Sequence, residues 1–228
     1  MSDRLRILVC DDEPQILRAL RVILREAGFE VVPATNAQEA LDSAAVQSPS
    51  AAIVDLVLPD GDGIEVCRAL REWSDMPIVV LSAIGEEAEK VRALNAGADD
   101  YVTKPFGPSE LIARLNAALR RAAPRDGVEP VLAADGLELD LAAHEVRRDG
   151  EPVHLTPTEF ALLLTLMRNR GRLMTHGGLI TEVWGPAYAS DTQTLRVHVA
   201  NLRRKIEPDP GAPRYITTEL GVGYRFTL

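Results

Sequence analysis

The sequence predicts an α/β fold built on a five-stranded, parallel, doubly wound sheet, followed by a smaller α+β unit in which three helices carry a β wing. Three observations predict it. Five short apolar runs, at 5–10, 31–34, 51–55, 77–82 and 101–103, are each followed by a helix-length segment with apolar residues three and four apart. After residue 136 the grammar changes to short strand-like pieces, then three helical patterns, then a closing hairpin. The chain of 228 residues also exceeds a typical domain of about 100–200 residues, so two cores are expected.

The first run ends in "ILVCDDEPQIL", where Asp11, Asp12 and Glu13 stand directly against a buried strand and Pro14 suits a first helical position. "NAQE" at 36–39 has the spacing of a capping box and opens the second helix. The third run ends at Asp55, and "PDGDG" at 59–63 reads as a turn into the third helix. It is not a calcium loop, because the twelfth residue from Asp60 is Arg71 where a bidentate Glu is required. The first strand-to-helix turn has acids where a dinucleotide site needs glycines. The fourth run ends at Ser82, and the fifth is followed by Lys104 and Pro105. Alternating strands and helices imply a sheet covered on both faces, with its site outside the carboxyl ends of the strands.

The stretch "RRAAPRDGVEPVLAADG" loses helical periodicity, which places a linker at 122–130 between domains at 4–121 and 131–228. Strands are then expected at 137–140, 145–148 and 153–155, and helices at 157–169, 175–183 and 191–206. "YITTELGVGYRFTL" reads as a hairpin around a glycine turn, and the whole as a winged helix-turn-helix.

Composition narrows the class. With 46% hydrophobic and 26% charged residues, no apolar stretch of about 20 residues and no secretory pattern at the N-terminus, the expectation is a cytoplasmic protein without membrane insertion. Cys10 and Cys67 form neither a disulfide framework nor a zinc spacing and are read as reduced packing residues. The net charge of −9 is unevenly spread: residues 1–121 hold 13 basic and 20 acidic side chains, while "TQTLRVHVANLRRKI" at 192–206 holds four bases and no acid. An acidic half is joined to a half with one basic helix.

The strand ends gather Asp11, Asp12 and Asp55 with Lys104 and Ser82. Singly, each is more simply a cap or a turn residue. Together, converging carboxylates need a cation, and Mg²⁺ accepts one or two carboxylates, waters and phosphate oxygens. Such a site suits phosphoryl transfer to Asp55 as nucleophile, with Lys104 and Ser82 on the transferring oxygens. "CDDEP", "IVDLVLPDGDGIEV", "VVLSA" and "GADDYVTKPF" resemble the receiver domain of two-component response regulators, a CheY/flavodoxin-like fold. The resemblance implies that Asp55 is the phosphoacceptor and that Asp11, Asp12, Asp55 and the Val57 carbonyl bind Mg²⁺. It further implies that Ser82 and Lys104 hold the phosphoryl group, that Tyr101 is a switch aromatic moving inward, and that the Lys104–Pro105 bond is cis.

Lys90, Asp99, Asp100, Glu110, Arg114 and Arg121 fall on the fourth helix, fifth strand and fifth helix. Alone they would be a solvated face. By resemblance to the OmpR/PhoB subfamily they are intersubunit pairs of an active dimer, Lys90 with Glu110, Asp100 with Arg114, and Asp99 with Arg121. On the 191–206 helix, Leu195, Val199, Leu202 and Ile206 form an apolar stripe, leaving Arg196, Asn201, Arg203 and Arg204, with His198, for a major groove. Composition leaves open a surface helix whose basic end complements its own dipole. "LTPTEFALLLTLMRNRGRLMT", "LRVHVANLRRKIE" and "ITTELGVGYRF" resemble the winged-helix effector of the same subfamily. The wing departs from it at Leu220, where members often carry Arg, so Thr217 and Thr218 are the expected phosphate contacts. "REWSDMPIVVLSA" and "GVGYRF" are closer to the KdpE type, regulators of potassium-uptake operons.

The implied function is a non-enzymatic DNA-binding transcription regulator, phosphorylated on Asp55 by a sensor histidine kinase. It dimerises, binds direct-repeat promoter DNA and works with RNA polymerase. Two other readings stand beside it: a regulator that binds DNA as a dimer without phosphorylation, and an Asp-nucleophile phosphatase, which the absence of an acid at Val57 disfavours.

Overall fold

The computed structural model describes residues 4–83, 87–123, 131–188 and 191–227. The chain divides into two compact units, Met1–Ala122 and Ala123–Leu228. Residues 124–130, most of the expected linker, lie outside the described residues.

The first unit runs β1 (Arg6–Cys10), α1 (Pro14–Glu26), β2 (Glu30–Ala34), α2 (Ala37–Gln47), β3 (Ala51–Asp55), α3 (Gly63–Arg71), β4 (Ile78–Ser82), α4 (Glu87–Asn95), β5 (Asp100–Thr103) and α5 (Pro108–Ala122). Its sheet has the order β2-β1-β3-β4-β5, every pair parallel. β3 and β4 are buried along their whole length, as expected of strands covered on both faces. Leu20, Leu24, Leu111 and Leu115 of α1 and α5 pack with Ile7, Val9, Ile53, Val79 and Leu81 in one continuous core. The order places the ends of β1 and β3 side by side, where the chain leaves for opposite faces of the sheet.

Pro14 does open α1. At α2 the Asn36 side chain accepts from Glu39 N–H, but the returning Glu39 carboxylate reaches Thr35 N–H at 2.7 Å, one residue earlier than a capping box requires. Burial raises both thiols to about 12, for Cys10 with help from the Asp11 charge. Neither is therefore expected to react with a disulfide reagent at about pH 8 until denaturant is added, since only the thiolate attacks; fast modification of the native chain would contradict this.

The second unit opens with an antiparallel sheet ordered β9-β8-β7-β6: β6 (Val131–Ala134), β7 (Leu137–Asp140), β8 (Glu145–Arg148) and β9 (Glu151–Pro152). β6 is unexpected, and β9 precedes its expected place at 153–155. Both differences come from Asp-Gly turns. Asp135 and Gly136 have φ of 46° and 83°, and Asp149 and Gly150 have 53° and 85°. Each pair is thus a two-residue loop of the primed kind, whose twist joins adjacent strands tightly. Then come α6 (Pro157–Arg168), β10 (Leu173–Thr175), α7 (His176–Val183), α8 (Thr192–Ile206), β11 (Ile216–Glu219) and β12 (Gly223–Phe226). β10 joins the expected hairpin as a third strand, in the order β10-β12-β11. Gly223 allows the approach, because a Cβ there would lie 1.9 Å from the Met174 carbonyl oxygen.

Candidate functional site

β1 and β3 deliver Asp11 and Asp55, both buried, to the same edge of the sheet, with exposed Asp12 beside them. One carboxylate oxygen of each lies within 4.8 Å of the others. The loop after β5 brings Lys104 into the cluster: its Nζ stands 2.7 Å from Asp11 Oδ2, 2.6 Å from Asp55 Oδ2 and 3.7 Å from Glu13 Oε1. The Lys104–Pro105 bond is cis. Burial drives the Asp11 carboxyl above its ordinary range, against the pull of the Lys104 hydrogen bond. Burial would lower Lys104, but hydrogen bonds to Asp11 and Asp55 outweigh it and hold the ammonium above the usual lysine value. Three carboxylates facing one lysine leave surplus negative charge, and the donors are hard oxygens. The residues fit Mg²⁺.

Asp55 Oδ1 accepts from Val57 N–H at 3.3 Å, which starts the turn behind the acid. Gly63 closes that turn, donating to the Leu56 carbonyl at 2.8 Å; a Cβ on it would stand 1.9 Å from the Asp55 carbonyl oxygen. Gly63→Ala is therefore expected to cost at least about 2 kcal/mol by forcing backbone apart. Urea unfolding of the full chain would measure it, and a loss under about 0.5 kcal/mol would contradict the contact.

Ser82 and Tyr101, at the end of β4 and in β5, are hydrogen-bonded through their hydroxyls, and burial raises the Tyr101 phenol. Tyr101 already occupies a buried position. Its ring is desolvated and its hydroxyl is partnered.

On the α4–β5–α5 face the structure places the expected residues differently from the dimer pairs. Asp99 is fully buried, 2.6 Å from Arg71 Nη2 and accepting from Ile78 N–H at 3.0 Å. Asp99 thus has partners within its own chain, and Arg121 is itself buried. Asp100 meets Arg114 at 3.0 Å, and Arg114 also reaches Glu110 at 3.0 Å. Lys90 is half-buried and Glu110 exposed.

On the basic helix α8 the expected residues divide between buried and exposed positions. Leu195, Val199, Leu202 and Ile206 are buried as expected, but so are His198, which faces Trp184 with ring centroids 5.5 Å apart, and Asn201, which accepts from Arg204. A helical turn of 3.6 residues puts both on the flank of the apolar stripe. Arg203 is turned to the wing, donating from Nε to the Ile216 carbonyl at 2.9 Å and from Nη2 to Thr218 Oγ1 at 2.7 Å, with Tyr224 beneath it. Thr217 donates to the Arg225 carbonyl at 3.3 Å. Arg196, Ala200 and Arg204 form the exposed line of α8, with half-exposed Gln193 one turn before. Counting back three from Arg196 would have found Gln193.

Glu207, just past α8, escaped the sequence reading altogether. Its buried carboxylate accepts from the backbone N–H groups of Arg214 (2.7 Å), Tyr215 (3.0 Å) and Ile216 (2.8 Å), fixing the start of the wing to the end of the helix.

Residues 7–116 match the family model described as response regulator receiver domain, and residues 150–226 that described as transcriptional regulatory protein, C terminal. The chain is 53% identical over 221 residues to the transcriptional regulatory protein KdpE of Mycobacterium tuberculosis, covering 96% of this chain and 98% of the relative. It is 47% identical to the KDP operon transcriptional regulatory protein KdpE of Escherichia coli, covering 97% and 99%. Among solved structures, a RitR mutant with one cysteine replaced by aspartate superposes with a TM-score of 0.80 at 26% identity over 98% of this chain and 99% of that one. The Thermotoga maritima OmpR/PhoB homologue DrrB does so with 0.54 at 30% identity over 99% and 100%.

Proposed function

Because this chain belongs to the response regulators that join a receiver domain to an OmpR/PhoB-type DNA-binding domain, we propose that Asp55 accepts a phosphoryl group from a sensor histidine kinase with Mg²⁺ held by Asp11, Asp12, Asp55 and the Val57 carbonyl. The observation that carries this reading is the Asp55 carboxylate itself, buried at a strand end and aimed at Lys104 among two further acids. In the transfer, an Asp55 oxygen forms the new bond to phosphorus while the P–N bond to the donor histidine breaks, its electron pair staying on the imidazole. Mg²⁺, when bound, supplies neutralising charge at the phosphoryl oxygens. Lys104, already within 2.6 Å of the nucleophile, follows the added charge. The Ser82 hydroxyl then exchanges Tyr101 for a phosphoryl oxygen, which makes the Ser82–Tyr101 bond the link from pocket to face.

Dimerisation through the α4–β5–α5 face is then carried by Lys90 with Glu110, Asp100 with Arg114 and Asp99 with Arg121, one of each pair coming from each copy. Arg196 and Arg204 of α8 meet promoter DNA, and Arg203 and Thr218 hold the wing to the helix. Pairing two modest readers on a direct repeat raises avidity through effective concentration. The full-length likeness to KdpE proteins supports control of a potassium-uptake operon, with RNA polymerase as the downstream partner. Among the described residues no helix is long and apolar enough to cross a membrane. The matched relatives are transcription regulators, so the phosphatase reading is dropped.

Metal removal tests the pocket directly. With a small phosphodonor and Mg²⁺, phosphoryl incorporation is expected on the full chain, and excess EDTA is expected to abolish it. Undiminished labelling in EDTA, or labelling retained after Asp55→Asn, would refute the assignment.

A further inference from the structure

The turn that leaves Asp55 is moored by an acid that belongs neither to the carboxylate cluster nor to the switch pair. Asp60 Oδ1 accepts from Ala37 N–H at 2.8 Å, and its Oδ2 accepts from Gln38 N–H at 3.1 Å. These are the first two free donors of α2; the third, Glu39 N–H, goes to Asn36 Oδ1 at 2.9 Å. A carboxylate 23 residues away in sequence thus completes the cap of α2, at the end of the helix where negative charge is favoured. At the far end of the turn Asp62 caps α3 through Ile64 N–H at 2.9 Å and meets Arg92 of α4 at 3.1 Å. Between these moorings the chain folds back on itself, Val57 pairing with Asp62 and Leu58 with Gly61. Val57, Pro59, Asp60 and Gly61 are exposed, while Leu56 and Leu58 are buried and anchor the inner side of the turn. Its exposed side, Val57 and Asp60 included, is held by the polar moorings.

We propose that Asp60 is a positioning residue for the acidic pocket: by clamping the Leu56–Asp62 turn to the start of α2, it sets where the Val57 carbonyl stands and thereby the affinity for Mg²⁺. The proposal rests on the reading of the pocket as a Mg²⁺-dependent phosphoacceptor site. Groups behind a metal ligand fix its direction, and their loss weakens binding without removing a donor. Coupling of this kind is reciprocal, so Mg²⁺ must also steady the Asp60 bonds and protect the Ala37 and Gln38 amides.

Two measurements on the full-length protein test it. Titration calorimetry with Mg²⁺ alone compares wild type, Asp60→Asn, Asp60→Ala and, as a reference for a lost ligand, Asp12→Asn. Asp60→Ala is expected to bind on the order of tenfold more weakly, with Asp60→Asn between it and wild type because an amide oxygen keeps one of the two bonds. Amide exchange by NMR is expected to slow at Ala37 and Gln38 when Mg²⁺ saturates wild type; this readout needs no variant to fold. Unchanged Mg²⁺ affinity in Asp60→Ala, or no Mg²⁺-dependent protection of the two amides, would show that Asp60 is a helix cap only and overturn the proposal. A wild type that takes up no Mg²⁺ would overturn the pocket reading and this proposal together.

Discussion

Asp55→Asn is expected to leave DNA affinity of the full chain unchanged on addition of Mg²⁺ and a small phosphodonor, whereas wild type tightens on the order of 10- to 100-fold. The magnitude follows from avidity: once two copies pair, the second winged helix binds as an intramolecular partner, and effective concentration supplies the gain without any new base contact. The substitution keeps the shape of the side chain at the end of β3 but removes the nucleophilic oxygen and one of the two carboxylates that Lys104 bridges. Fluorescence anisotropy on a direct-repeat duplex at fixed salt would measure it, salt being held because contacts to phosphates dominate the absolute affinity. Equal tightening in both proteins would separate DNA binding from the pocket. Equal tight binding without any phosphodonor would instead support the phosphorylation-independent dimer.

Glu207→Ala should cost about 3–5 kcal/mol and abolish specific DNA binding even though Glu207 lies off the exposed line of α8. Three backbone N–H groups, of Arg214, Tyr215 and Ile216, share its buried carboxylate. Removing one acceptor leaves several buried donors unpaired, and each such donor costs about 1–3 kcal/mol. For a domain of about 100 residues a loss of this size lowers the midpoint by more than about 10 °C. Thermal unfolding followed by circular dichroism on the full chain would show whether one transition moves by that amount. Glu207→Gln, which keeps one acceptor oxygen, should fall between; a variant within about 2 °C of wild type would mean the wing start is held by its strand pairing alone.

The two acids differ in how visible they are in one dimension. Asp55 stands at the end of an apolar run, and its meaning follows from three other strand ends spaced along the same alternating pattern. Glu207 follows "NLRRKI" and looks like one more charge after a basic helix. Nothing local distinguishes it from a solvated residue, because its partners begin seven residues later, beyond a turn. Asp60 has the same opacity: "PDGDG" reads as a turn with two acids, and only the packing of α2 beside that turn gives the first of them two donors. The burial of His198 and Asn201 on α8 was hidden for a related reason. An apolar stripe gives the mean direction of a helix's buried face but not its width, and here α7 and Trp184 extend that face to the flanking polar residues.

The sequence by itself determined the alternating α/β domain, the winged unit after it, and the cluster of Asp11, Asp12, Asp55 and Lys104, because strand periodicity and residues at strand ends are properties of short segments. Only the tertiary structure decided which polar groups are spent inside the fold. Asp99 goes to Arg71, Arg203 to the wing, Tyr101 to Ser82 and Asp60 to α2. Most buried donors and acceptors find a partner, and a partner such as Asp11 for Lys104, 93 residues away, is assigned by how helices and strands pack rather than by anything adjacent in the chain.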